Sequence, residues 1–128
     1  MMATVNTCST WLRIAVLYFV VAALLGILMG IIGDHTLFPV HAHLNLLGWV
    51  SMAIFGLIYR QYPELGTSKL AQTHFWLYNI SLPFTMIALA CLLKGNAALE
   101  PVVGIGSLLL GVAIVLFALN IMLNLPRN

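Results

Sequence analysis

Nearly all the side-chain chemistry open to this chain rests on four histidines. Three of them fall in one stretch, Asp34-His35-Thr36-Leu37-Phe38-Pro39-Val40-His41-Ala42-His43. Imidazoles with a carboxylate form a donor set for zinc or copper, and imidazole alone is an axial ligand for haem iron. Pro39 suits the first turn of a helix, where its missing N–H costs nothing, and Thr36 is placed to cap that turn. His41 and His43 are then helical, and a two-residue step puts them about 200° apart around the axis. A regular helix keeps both imidazoles from one ion and gives them separate tasks on opposite sides. The alternative is a frayed first turn that lets His35, His41 and Asp34 gather one ion, or copper held by His35, His41 and His43.

The face of His41 continues through Asn45, Gly48, Met52 and Tyr59. Gly48 stands two turns below His41, where a missing side chain leaves room for a flat macrocycle lying along the helix, inside an apolar wall that excludes water and tunes the iron. On this reading His41, His43, Asn45 and Gly48 make a haem-binding surface. The plainer alternative puts the histidines at the membrane interface, bonded to headgroups, with Gly48 serving helix packing.

The remaining polar residues of the apolar stretches read as structural. His74 belongs to the opposite end of its helix, roughly 25 Å from His43 at about 1.5 Å per residue, so one ion cannot take both. It reads as an interfacial anchor or hydrogen-bonding group within an aromatic belt with Trp76 and Tyr78, or else as a contact for a second haem or a quinone. Pro83 should bend its helix and free a carbonyl near Asn79. Asn120 reads as an interhelical hydrogen bond, the six methionines as packing, and Cys8 and Cys91 as unpaired small hydrophobes. Asp34, Glu64 and Glu100 sit on three different loops, which leaves no pair of carboxylates for hydrolysis.

The elements that must hold these groups follow from composition. Of 128 residues, 62% are apolar and 6% charged, where soluble domains run near half and a quarter. Disorder is excluded, because it needs low hydrophobicity and abundant charge. Nucleic-acid binding is excluded too, because the five basic residues are scattered rather than gathered on one face. A membrane span needs about 20 apolar residues, and four runs qualify, at about 11–32, 40–60, 74–93 and 102–123. Gly- and Pro-bearing breakers separate them. The predicted fold is all-α, an integral membrane bundle of four antiparallel transmembrane helices forming a single domain over 1–128. Arg13, Arg60, Lys69 and Arg127 share one side and only Lys94 the other, so the positive-inside rule puts both termini in the cytoplasm and the Asp34 loop outside. Small-residue spacings, Gly26 to Gly30 and Gly106 to Ala113, fit close helix approach inside the bundle or between copies.

The stretch from Val40 to Val50, followed by Ala53-Ile54-Phe55-Gly56-Leu57-Ile58-Tyr59 and Pro63, resembles a ligand helix of the haem-copper oxidase subunit I superfamily, in the versions found in nitric oxide reductases and C-type oxidases. His74-Phe75-Trp76-Leu77-Tyr78-Asn79-Ile80 is a weaker echo. That family's large subunit has three quasi-equivalent groups of four spans, with metal ligands on the second helix of each group towards the outer face. This chain looks like one such group standing alone. The resemblance implies that His41 and His43 ligate haem b, serving two haems on opposite sides, in a homo-oligomer that is a trimer imitating the three groups or else a dimer. The chain has no His-His pair for copper and no motif for the linked tyrosine, so one copy lacks the full oxidase ligand set.

The expectation is therefore a multi-pass protein of the bacterial inner membrane, embedded in the lipid bilayer. It binds haem for electron transfer or for oxygen or nitric oxide binding, with a respiratory redox partner and no nucleic acid. The alternatives are a copper-handling membrane protein and a structural subunit of a respiratory complex.

Overall fold

The computed structural model describes residues 2–127, with side chains from residue 7 onward. It contains four long helices, and no strand among the described residues. The first runs Met2–Ile32, the second Phe38–Gln61, the third Lys69–Leu93 and the fourth Glu100–Asn124. All four are long and apolar enough to cross a membrane, the architecture of a multi-pass membrane protein. Each predicted span lies inside one of them, and the third and first helices begin several residues before the apolar run does. A helix can carry polar residues beyond the hydrocarbon edge, so composition marks the span and not the helix.

Local chemistry sets the ends. Gly33 at φ +69 and Gly95 at φ +109 close the first and third helices in the left-handed region that only glycine enters cheaply. Ser68 caps the third helix by accepting from the Ala71 N–H at 3.0 Å. Pro39 lies in the first turn of the second helix as expected, but that turn is not capped by Thr36: Leu37 is the N-cap residue and makes no side-chain cap bond. The Thr36 hydroxyl and N–H both go to Asp34 Oδ1 instead, at 2.5 and 2.9 Å. Asp34 also takes the Lys94 ammonium at 2.7 Å, which ties the 1–2 connection to the 3–4 connection.

The first helix packs along the second and the third along the fourth, making two hairpins. At the end that carries both termini, rings from all four helices lock the hairpins together. Trp11 touches Phe55, His74, Phe75 and Tyr78, with centroids 5.0 to 5.8 Å away, and Phe117 of the fourth helix lies 4.5 Å from Phe55. Asn120, expected to bond between helices, reaches instead from the fourth helix to the connection between the second and third, donating to the Leu65 carbonyl at 2.9 Å and accepting from Ser68 Oγ at 2.8 Å. The outward faces are apolar: Leu17, Leu24 and Ile31 on the first helix and Leu108, Val115 and Met122 on the fourth are exposed. Seven-residue spacing lines each trio along one face, a surface suited to lipid tails.

Candidate functional site

His41 and His43 do point in opposite directions. His41 turns onto the first helix, with Nδ1 2.8 Å from the Ala22 carbonyl oxygen. Its ring lies against Gly26, where a Cβ would come within 2.6 Å of Cε1. Asn45 donates to the His41 carbonyl at 3.1 Å, and its Nδ2 lies 3.5 Å from the ring's Nε2. His43 is exposed, and its Nδ1 is 2.6 Å from the Pro39 carbonyl oxygen. A carbonyl only accepts, so in both rings Nδ1 carries a proton, and in the neutral ring Nε2 is the nitrogen with the lone pair. In His41 that lone pair is crowded by Asn45, whereas none of the described residues bonds Nε2 of His43.

His43 opens onto a groove of ≈ 380 Å³ between the second, third and fourth helices. Leu47 continues its wall on the second helix, Thr85 and Met86 line it from the third, and Ser107 and Leu110 from the fourth. The wall is mostly apolar. Thr85 spends its hydroxyl proton on the Ser81 carbonyl at 2.6 Å.

Directly after His43 the second helix changes pitch. Leu44–Val50 is a π-helix, and the Ser51 N–H reaches back five residues to the Leu46 carbonyl. Return from π to α geometry leaves one carbonyl without its usual donor, and outside groups gather on this turn: Ser51 Oγ donates to the Leu46 carbonyl at 2.7 Å and Tyr78 Oη to the Leu47 carbonyl at 2.8 Å. No residue pattern announces a π turn, so the sequence reading missed it. The room expected over Gly48 for a macrocycle is taken by Tyr18, since a Cβ there would come within 2.5 Å of the Tyr18 ring. Gly48 and His41 share a face as expected, but it is the face that meets the first helix.

His35 is exposed in the connecting loop. Among the described residues no three His, Cys, Asp or Glu side chains are grouped to hold a metal ion, so the copper arrangement of His35 with His41 and His43, or with Asp34, is not assembled. Asp34 is engaged instead. The Lys94 ammonium and the two Thr36 donors hold its carboxyl well below the usual carboxylate range.

His74 is fully enclosed, which departs from an interfacial anchor and agrees with the hydrogen-bonding role, the other half of its reading. It stacks on Trp11 at 5.0 Å, meets Phe55 edge-on at 4.7 Å, and has Nδ1 3.0 Å from the Tyr59 hydroxyl. Its Nε2 and Trp11 Nε1 are buried without a hydrogen-bond partner among the described residues, and ring faces are the acceptors at hand. Tyr78, expected in the aromatic belt, is also buried, while Trp76 is exposed. A two-residue step turns a helix by about 200°, so only one of the two can face lipid.

No curated protein and no solved structure matches the chain. Residues 1–124 match the family described as "Protein of unknown function (DUF2871)", and at that coverage the chain belongs to it.

Proposed function

We propose that this protein is a haem b-binding membrane protein that holds the haem through His43 in the groove between the second, third and fourth helices. The observation that carries the reading is the state of His43: Nδ1 is committed to the Pro39 carbonyl at 2.6 Å, which fixes the tautomer and leaves Nε2 bare and exposed. A backbone carbonyl on the second nitrogen is how ligating imidazoles are oriented and made more basic. This one imidazole is the feature that supports the reading. When bound, haem would supply a one-electron couple or a site for oxygen or nitric oxide.

The chain's own residues divide the remaining work. Leu47 and Leu110 exclude water from the groove, and the π turn and Tyr78 fix the stretch that follows His43. His41, seated on Gly26, holds the second helix against the first and so positions His43 rather than sharing its role. The groove opens sideways towards lipid, and a second copy of the chain is the natural cover for a flat ligand standing out of it. A homo-oligomer, with a trimer favoured by the resemblance, follows from that exposure. By the distribution of Arg13, Arg60, Lys69 and Arg127 the termini are cytoplasmic and the groove lies in the outer half of the membrane.

The test is the visible spectrum of detergent-purified protein, oxidised and reduced, with iron measured on the same sample. Sharp reduced bands and stoichiometric iron, both lost in His43→Ala, are the expected result. A colourless wild-type protein expressed with haem available would defeat the proposal, as would a variant lacking both His41 and His43 that kept its haem.

A further inference from the structure

A groove of ≈ 600 Å³ lies at the opposite end of the second helix from His43, lined by Ile54, Leu57, Ile58, Arg60, Gln61 and Tyr62. We propose that it binds one acidic phospholipid of the leaflet on the side of the termini, with Arg60 taking the phosphate and the three aliphatic residues an acyl chain.

Local sequence builds the groove. Ile54, Leu57, Ile58 and Gln61 stand at i, i+3, i+4 and i+7, one face of a helix, and Arg60 borders Leu57 three residues on. Gly56 meets Leu12 and Trp11 of the first helix, while Ile54 and Leu57, on another face, are exposed. Pro63 bars α geometry at the residue before it, so the chain leaves the helix at Tyr62 with φ −125 and ψ 77, and Tyr62 borders the end of the groove. Leu65 is fully buried and its carbonyl accepts from Asn120 at 2.9 Å, which holds this turn in place.

The lining residues sort by depth. From Ile54 to Gln61 the helix runs about 10 Å towards the end that carries the termini, at 1.5 Å per residue. Aliphatic side chains come first, then a guanidinium, an amide and a phenol. A lipid of that leaflet has the same order, tail inside and headgroup at the edge. The charge selects the headgroup. Among the described residues the one ion pair joins Lys94 to Asp34 at the far end of the bundle. Glu64 follows the break at Tyr62 and pairs with nothing there, so the Arg60 guanidinium has no carboxylate on it. A guanidinium takes phosphate oxygens in pairs, and Gln61 and Tyr62 add neutral donors beside it. A zwitterionic headgroup brings its own ammonium to the phosphate, whereas an acidic one leaves the phosphate to Arg60.

The experiment offers the full chain in mild detergent phosphatidylglycerol and phosphatidylcholine of equal chain length. Retained lipid is counted by native mass spectrometry, beside helical content. Wild type is expected to keep one phosphatidylglycerol with a preference of about fivefold, the scale of a single interfacial arginine. Arg60→Gln should abolish the preference. Lys69→Gln, which removes the same charge from the start of the third helix and outside the groove, should keep it. Leu57→Trp fills the groove while keeping every charge and should lose the retained lipid; should Arg60→Gln lose its helices, this variant carries the test alone. Excess inorganic phosphate, which has no chain for the apolar part, should leave the lipid in place. Equal retention of the two lipids by wild type, equal losses in Arg60→Gln and Lys69→Gln, full retention in Leu57→Trp, or displacement by phosphate overturns the site.

Discussion

The two ends of the bundle each present a histidine, and the contrast between them is one of surroundings. His74 is enclosed by Trp11, Phe55, Tyr78 and Phe117, so its ring works as packing with one polar anchor on Tyr59. His43 is exposed beside an apolar groove, with one nitrogen tied down by its own helix and the other bare. The difference teaches that an imidazole inside a membrane protein becomes fold or site according to which nitrogen is spent and what encloses the ring. The aromatic end closes the four helices together, which lets the other end stay open.

That contrast can be broken by substitutions at either end. Trp11→Ala removes the ring that joins the hairpins and should cost about 4 kcal/mol of unfolding stability, read by titration with a denaturing detergent, while the haem content of the folded fraction stays that of wild type. Haem loss proportionate to His43→Ala would erase the division between the ends. Gly48→Ala forces a methyl into Tyr18 and should cost about 2 kcal/mol. By contrast Gly30→Ala, which meets no atom within 4 Å, should be neutral or add up to about 1 kcal/mol in a helix interior. Equal effects at the two glycines would contradict the packing between the first two helices. Tyr59→Phe leaves His74 Nδ1 without its partner and should cost about 1–2 kcal/mol with no change in the visible spectrum.

The smallest effect is expected at the ion pair between the connections. Asp34 has its carboxyl pKa depressed in the folded protein, first by Lys94 and then by Thr36. Its contribution is therefore present above the unfolded value of about 4 and is lost as pH falls through the lower folded value. The pair is exposed and screened by salt. Lys94→Gln should lower neutral-pH stability only slightly and leave stability in strong acid unchanged, so that the acid limb of a stability-against-pH profile flattens by the same small amount. An equal loss at pH 7 and in strong acid would show that the lysine acts otherwise.

Much of this was legible in the residues. Four apolar runs separated by Gly- and Pro-bearing breakers specify four spanning helices, because hydrocarbon tolerates little else. The divergence of His41 and His43 followed from their two-residue spacing alone. What stayed hidden depends on contacts between distant segments. The cage of His74 is assembled from four helices, and the space over Gly48 looks empty until Tyr18 of the first helix is brought to it. The pairing of Asp34 with Lys94 likewise spans two connections. The π turn has a different reason: it is a backbone choice among residues that an α-helix would accept equally.

The division between a closed end and an open one is tested most directly by the haem-to-protein ratio of His43→Ala, measured beside its helical content and beside wild type. The account requires the haem to be lost while the helices and their stability remain. A His43→Ala protein that retains the full ratio would contradict it and move the search for a ligand to another part of the bundle.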